Sequence, residues 1–360
     1  MNIINLQKEL TKLVSYKTIT SDCDACKTLL KDVEKLYKKC GLQTEFGVKN
    51  GHPYLFAHNS SDVKNLDVLL QAHVDVVPAE DEMFATFVEG DNLVGRGVYD
   101  MLFAVACFNK LLAEENTSET SIGVLLTSDE EIGGVDGVGG LIQSYGARVC
   151  ILPDAGTNEL LCIEAKGVLQ LKLGIFGTAG HGARPWLTDS PILKIGKVVS
   201  IINELFPNDD NESTTCSFTQ IHGGSAHNQV PSLVDMVLDI RFQPSDKPDA
   251  LLKQISSKLK PLGVKVTVTD VIGESYATDS GSVYVQKFVK SYSEVTGIDL
   301  GTMRAPGSSD ARFIAALGIP VIMCRPLGGG LHADDEWISI PSLEKYYEVL
   351  KNYITTFKKV

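Results

Sequence analysis

Apolar positions along the chain fall into stretches of different rhythm, and the changes of rhythm mark its organisation. Residues 3–15 and 22–40 read as amphipathic helices, the second with Ser21 or Asp22 as its cap and Gly41 as its stop. Short strands are predicted at 43–48, 53–58 and 68–72, and a hairpin over 86–95 around Gly90-Asp91-Asn92. From Asp100 through Leu112 the chain is a helix so continuously apolar that burial is the only place for it. Further strands fall at 122–127 and 149–152. Strands and helices alternating at these lengths indicate an α/β sheet with helices on its faces.

The rhythm changes at Gly167. Residues 168–176 alternate as a strand, 190–205 are helical, 214–222 and 233–243 are strands, 248–260 is a helix and 264–272 a strand. This β-α-β-β-α-β order is ferredoxin-like. After Gly273 the first texture returns, with helices at 282–296, 308–317 and 342–357 and a strand at 319–323. One domain, residues 1–167 and 279–360, is therefore expected to be interrupted by a second, residues 168–278.

Composition narrows the function. With 360 residues the chain is long enough for two domains, and 44% hydrophobic with 22% charged residues is ordinary for a globular protein. A formal net charge of −12 argues against work on nucleic acid or an anionic membrane, both of which reward basic patches. No apolar run approaches the ~20 residues needed to cross a bilayer. The first residues lack the basic start and apolar core of a secretory signal, and eight scattered cysteines fit a reducing compartment, so a cytoplasmic protein is expected. Cys23 and Cys26 are close, but no second pair follows at zinc-ribbon spacing; ordinary free thiols are the simpler reading.

The chemistry gathers at strand ends, where open α/β sheets bind ligands. His73 and Asp75 close the strand 68–72, two apart and so able to face one side together. Glu130 and Glu131 follow strand 122–127, Asp154 follows strand 149–152, and His332 follows strand 319–323 after three glycines. Asp100 comes after the turn Gly95-Arg96-Gly97. Each alone is better read as a surface carboxylate or a satisfied histidine; their common placement argues for a metal centre.

The segments HVDVVP, GRGVYDM, TSDEEIGG, PDAG, AGHGARP, GGSAHNQVP, GSSDARF and GGGLHADDEW occur in that order across nearly the whole chain. Together they resemble the M20 group of co-catalytic zinc peptidases and deacylases. The resemblance implies an α/β fold with a zinc-exopeptidase-like catalytic domain and an inserted ferredoxin-like domain that acts as lid and dimerisation surface. It implies two Zn²⁺ ions, with Mn²⁺ or Co²⁺ able to replace them. His73 and Asp154 would hold one ion, Glu131 and His332 the other, and Asp100 would bridge both. Glu130 would be the general base, Asp75 would support His73, and the Asp100–Met101 peptide would be cis. His181 would reach the partner subunit's site and stabilise an oxyanion, while Asn228, Arg241, Gly307 and Ser308 would contact substrate.

Three features depart from the family pattern or divide it. Leu102-Phe103-Ala104 follow the bridging Asp where Lys and Gly are frequent. The acidic loop between Pro78 and Phe87 lacks a tryptophan often found there. Asp154 occupies a position where the deacylases tend to carry Glu, which resembles the dipeptidase and aminopeptidase branch. The expected activity is cleavage of small peptides as a homodimer, with N-acyl amino acid deacylation as the alternative. A catalytically silent binder would be expected to have lost a ligand or Glu130, and none is missing. A structural calcium site fits poorly with two histidines.

Overall fold

The computed structural model describes residues 4–156, 159–208 and 212–358. The chain forms two compact units. One comprises residues 1–163, 278–303 and 309–360, and the other residues 164–277 together with 304–308. The second unit thus begins a few residues before the change of rhythm at Gly167 and takes in one later segment.

The first unit opens with α1 (Leu6–Val14) and α2 (Cys23–Lys39). The Asp22 side chain accepts the Ala25 N–H to cap α2, and Gly41 ends it in the left-handed region at φ 85°. Strands β1 (Gln43–Lys49), β2 (His52–His58) and β3 (Leu66–His73) follow. After the short hairpin Phe87–Glu89 and Asn92–Val94 come α3 (Leu102–Glu114), β4 (Ile122–Thr127) and β5 (Ala147–Ile151).

The second unit contributes β6 (Gly167–Phe176), α4 (Pro191–Leu205), β7 (Thr215–Gly223), β8 (Leu233–Phe242), α5 (Pro248–Leu259) and β9 (Val264–Gly273). The chain then returns to the first unit with α6 (Val283–Thr296), β10 (Val321–Ile322) and α7 (Ile340–Thr355).

The first unit's main sheet has the order β1-β2-β4-β3-β5-β10. Strands β4, β3, β5 and β10 run parallel, while β1 and β2 form an antiparallel margin. Every residue of β3 and β4 is buried, as required of strands with helices on both faces. Helix α3 explains its unbroken apolar sequence by burying Leu102 through Asn109 and Leu111 through Ala113. Each fully buried Leu or Phe there contributes roughly 1.5–3 kcal/mol.

In the second unit the antiparallel order is β7-β8-β6-β9, the ferredoxin-like arrangement. Alternation in β8 turns Val234, Met236, Leu238, Ile240 and Phe242 toward a core that also takes Val198 and Ile202 of α4 and Ile255 and Leu259 of α5.

Several expectations need correction. The helix expected over 308–317 covers only Ala311–Ala315, because Ser309 turns its hydroxyl onto the Ala311 N–H and Gly318 ends the segment at φ 76°. The strand at 319–323 shrinks to two residues. Helix α3 starts at Leu102 rather than Asp100, and α7 starts at Ile340 rather than 342. Strands Leu160–Ala165 and Gly301–Ala305 were not expected. Ile3, expected to begin α1, lies outside the described residues. Among the described residues no helix is long and apolar enough to cross a membrane.

Candidate metal centre

The sheet order brings the chemistry together. Strands β4, β3 and β5 are neighbours running the same way, so their carboxyl ends open on one edge. His73 is the last residue of β3, Glu130 and Glu131 follow β4 after a two-residue turn, and Asp154 follows β5. Two loops complete the set. Asp100 ends the segment between the hairpin and α3, and His332 lies between the short strands Gly328–Gly329 and Trp337–Ser339. His332 has φ 61°, an uncommon left-handed conformation for a residue with a Cβ. The Asp100–Met101 peptide is cis.

Two groups of donor atoms result, each within 4.8 Å of one another: His73, Asp100 and Asp154, and Asp100, Glu131 and His332. Asp100 belongs to both. Its Oδ1 lies 3.3 Å from His73 Nε2, and its Oδ2 lies 3.4 Å from His332 Nε2. Asp154 Oδ1 is 3.8 Å from His73 Nε2, and Glu131 Oε2 is 3.2 Å from His332 Nε2. His73 Nε2, Asp100 Oδ1 and Glu131 Oε1 are buried without a hydrogen-bond partner among the described residues. Buried polar atoms are nearly always partnered, so converging orphans call for a ligand. Nitrogen and oxygen donors without thiolate, clustered in two sets sharing a carboxylate, fit a pair of divalent cations.

Asp75 acts differently from expectation. His73 Nδ1 donates to the Asp75 backbone carbonyl at 2.9 Å, whereas the carboxylate stands 3.6 Å away. The Asp75 carboxylate instead accepts the Thr20 hydroxyl at 3.0 Å and the backbone N–H groups of Glu130 and Glu131, each at 3.3 Å. It holds the two glutamates' backbone while its carbonyl fixes the ring of His73. Glu130 belongs to neither donor group.

The electrostatics follow from this crowding. Burial, reinforced by the charge of Asp154, pushes the Glu130 carboxyl well above the usual range. Burial raises Glu131 to about 7 and raises Asp154 as well. Asp100 goes the other way: burial opposes its charge, but the imidazoles of His332 and His73 hold it well below normal. Burial would lower His73, yet Asp100, Asp154 and Asp75 push it well up, and Asp100 raises His332.

Several residues here were not anticipated. Asp310 is buried beside Asp129 and Gly134, and burial drives its carboxyl well up. Arg325 stacks 4.7 Å over Tyr99 and donates to the Asp154 carbonyl at 2.6 Å. Arg96 and Glu336, almost fully buried, form an ion pair at 2.8 Å. A lone arginine between two glycines inside an apolar run was the available signal for this pair.

The remaining expected residues lie in the second unit. His181 and Asn228 come together, because Gly180–His181 pairs with Gln229–Val230 and the Gly182 N–H donates to the Asn228 carbonyl at 2.8 Å. Both are exposed. Arg241 lies on β8 with its guanidinium on Asp239 at 2.7 Å, already engaged within its own strand. Gly307 is exposed and Ser308 half-buried, next to the turn that starts the short helix.

Comparison with known proteins gives the family. Residues 69–356 match the model of peptidase family M20/M25/M40. The chain belongs to that family. This M20 member is a hydrolase. Over 370 residues it is 28% identical to a succinyl-diaminopimelate desuccinylase from Hydrogenovibrio crunogenus, covering 95% of this chain and 96% of that one. It shares its fold with a tripeptidase from Staphylococcus aureus subsp. aureus Mu50, at TM-score 0.83, 20% identity and full coverage of both chains. A dinuclear metal-binding peptidase of the M20 family from Bacillus subtilis has the same fold at TM-score 0.69 and 14% identity, with 98% of each chain covered.

Proposed function

We propose that this M20 hydrolase works with two divalent cations, zinc by its donor set with manganese or cobalt as substitutes, and cleaves amide bonds in small peptides as an exopeptidase. The observation that carries this reading is Asp100, whose two oxygens face two different histidines at 3.3 and 3.4 Å. His73 and Asp154 would hold one cation, Glu131 and His332 the other, and Asp100 both. Bound there, the cation pair supplies polarisation of the scissile carbonyl and a more acidic water.

The chain's own groups do the rest. Glu130, outside both donor groups and with its carboxyl raised by burial, takes the proton from water and returns it to the leaving nitrogen. Asp75 keeps Glu130 and Glu131 in place through their backbone N–H groups, so that two adjacent glutamates serve different ends. His181 is the oxyanion donor, acting from the partner subunit of a homodimer formed through the second unit. Exposure of Trp186 (75%), Leu187 (65%) and Leu193 (82%) on that unit supports an apolar face that a second copy covers. Asn228, Arg241, Gly307 and Ser308 are assigned to substrate contacts; Arg241 would first have to leave Asp239. The eight cysteines are thiols outside any disulfide, which supports a cytoplasmic protein.

A second reading, N-acyl amino acid deacylation, is favoured by the name of the Hydrogenovibrio relative, which acts on a succinylated amino acid. Asp154 speaks for the peptidase branch. A hydrolysis panel of dipeptides, tripeptides and N-acetyl and N-succinyl amino acids, run with zinc, manganese and cobalt, separates the two. Turnover of unblocked peptides supports the first reading, and turnover confined to acylated amino acids replaces it with the second.

A further inference from the structure

The ligands proposed above rest on two kinds of support. His73 is the last residue of β3 and pairs with Thr127 of β4, and Asp154 follows β5 two residues after Leu152, whose N–H bonds to the Ile322 carbonyl at 3.0 Å. Asp100 and His332 stand on loops, and loops need something else to hold them within the tolerance a cation demands.

Glu336 meets that need. It is fully buried, four residues after His332 in an otherwise exposed acidic run. Its Oε1 accepts the backbone N–H groups of Tyr99 at 2.9 Å and Asp100 at 3.0 Å. Its Oε2 accepts the Arg96 guanidinium Nη1–H at 2.8 Å and the Gly97 N–H at 2.9 Å. The Gly95 N–H also reaches the Glu336 carbonyl at 2.9 Å, continuing the ladder in which Trp337–Ser339 pairs with Asn92–Val94. One residue thus takes up donors from nearly every position between Gly95 and Asp100 while standing on the loop that carries His332. The glycines make this wrap possible: Gly97 has φ 83°, and a Cβ there would come within 2.7 Å of Val76.

We propose that Glu336 is a positioning residue of the metal centre, fixing Asp100 against His332 and so controlling the cation site of Asp100, Glu131 and His332. The site of His73 and Asp154 depends on it less, since His73 closes β3 and Asp154 comes directly after β5 and its Leu152–Ile322 bond. Charge-assisted bonds to an ionised carboxylate are the strong kind, and outer partners of metal ligands typically govern 10–100-fold in affinity. This inference rests on the two-cation reading above.

The test uses the full chain stripped by chelator and titrated with Zn²⁺ against a chromogenic competitor, with Co²⁺ absorption as a second readout. Wild type takes up two equivalents. E336Q, which sets an amide nitrogen against N–H donors, and E336D, which keeps the charge but withdraws it by one methylene, retain the first equivalent. Both bind the second 10–100-fold more weakly and lose its cobalt spectrum. Fewer than two equivalents in wild type would sink the two-cation reading itself. Two equivalents at wild-type affinity in either folded variant, or equal loss of both sites, would overturn the role of Glu336. If neither variant folds, amide hydrogen exchange of metal-free wild type decides. Protected amides at Gly97, Tyr99 and Asp100 support a cradle built before the cation arrives, and unprotected amides there overturn it.

Discussion

Removing the cations should make this protein's stability fall as pH rises, the reverse of ordinary acid denaturation. In the metal-free chain Glu131 is pushed from 4.5 to about 7 by burial, and Glu130, Asp154 and Asp310 are raised in the same way. A carboxyl whose folded value is raised ionises first in the unfolded chain. Its contribution is therefore intact below the unfolded value and is lost as pH climbs toward the folded one. His73 and His332, raised by neighbouring carboxylates, act with the same sign at higher pH. Asp100 has the opposite sign, but its transition lies below 3.8 and outside the window.

For Glu131 alone the change from 4.5 to about 7 corresponds to roughly 3 kcal/mol at about 1.4 kcal/mol per pH unit. With an unfolding entropy of about 2.1 cal/mol/K per residue, that is about 4 °C in Tm for a chain of this length. The assay is differential scanning fluorimetry of chelator-stripped protein from pH 4.5 to 7.5, beside protein with two equivalents of zinc. The stripped protein should lose several degrees across that window, and the gap to the loaded protein should widen. A stripped protein whose Tm is flat or rises over the same window refutes the reasoning, because the carboxylates would then not be crowded together.

Two further predictions concern single side chains. Glu130→Gln should leave zinc content unchanged while lowering kcat by about 10²–10⁴-fold, as loss of a general base does; retained turnover, measured on a substrate from the panel, counts against its role. Gly134→Ala should destabilise by about 2 kcal/mol or more in denaturant titration. The residue has φ 62°, and its added Cβ would collide with Asp310 Oδ1, so strain and a displaced buried carboxylate add together. A midpoint equal to wild type would show that Asp310 does not pack there.

Much of this was legible in the sequence because the signals were local. The apolar runs ending in His73, Glu130-Glu131 and Asp154 announce buried parallel strands, and neighbours in such a sheet bring their ends together without further instruction. The alternation along 168–176 likewise marked β6, whose side chains from Leu169 onward are buried at every second position. What was not legible depended on distant partners. Glu336 looks like a member of a solvated acidic run until the backbone of residues 95–100, some 240 positions earlier, is wrapped around it. Asp75 was expected to present its carboxylate to His73, but the carbonyl reaches the ring first and frees the carboxylate for Thr20 and the glutamate backbone. The strand Leu160–Ala165 is a short run beside Gly167 with no local signal of its own; its end pairs with Tyr276–Ala277, over a hundred residues on.

Asp100 shared between two cations is the centre of the proposed site, and anomalous scattering from crystals grown with zinc measures this most directly. Two peaks per chain are predicted, one beside Asp100 Oδ1 and about 2.0–2.1 Å from His73 Nε2, the other beside Asp100 Oδ2 and at the same distance from His332 Nε2. A single peak, or two peaks neither of which touches Asp100, would contradict it.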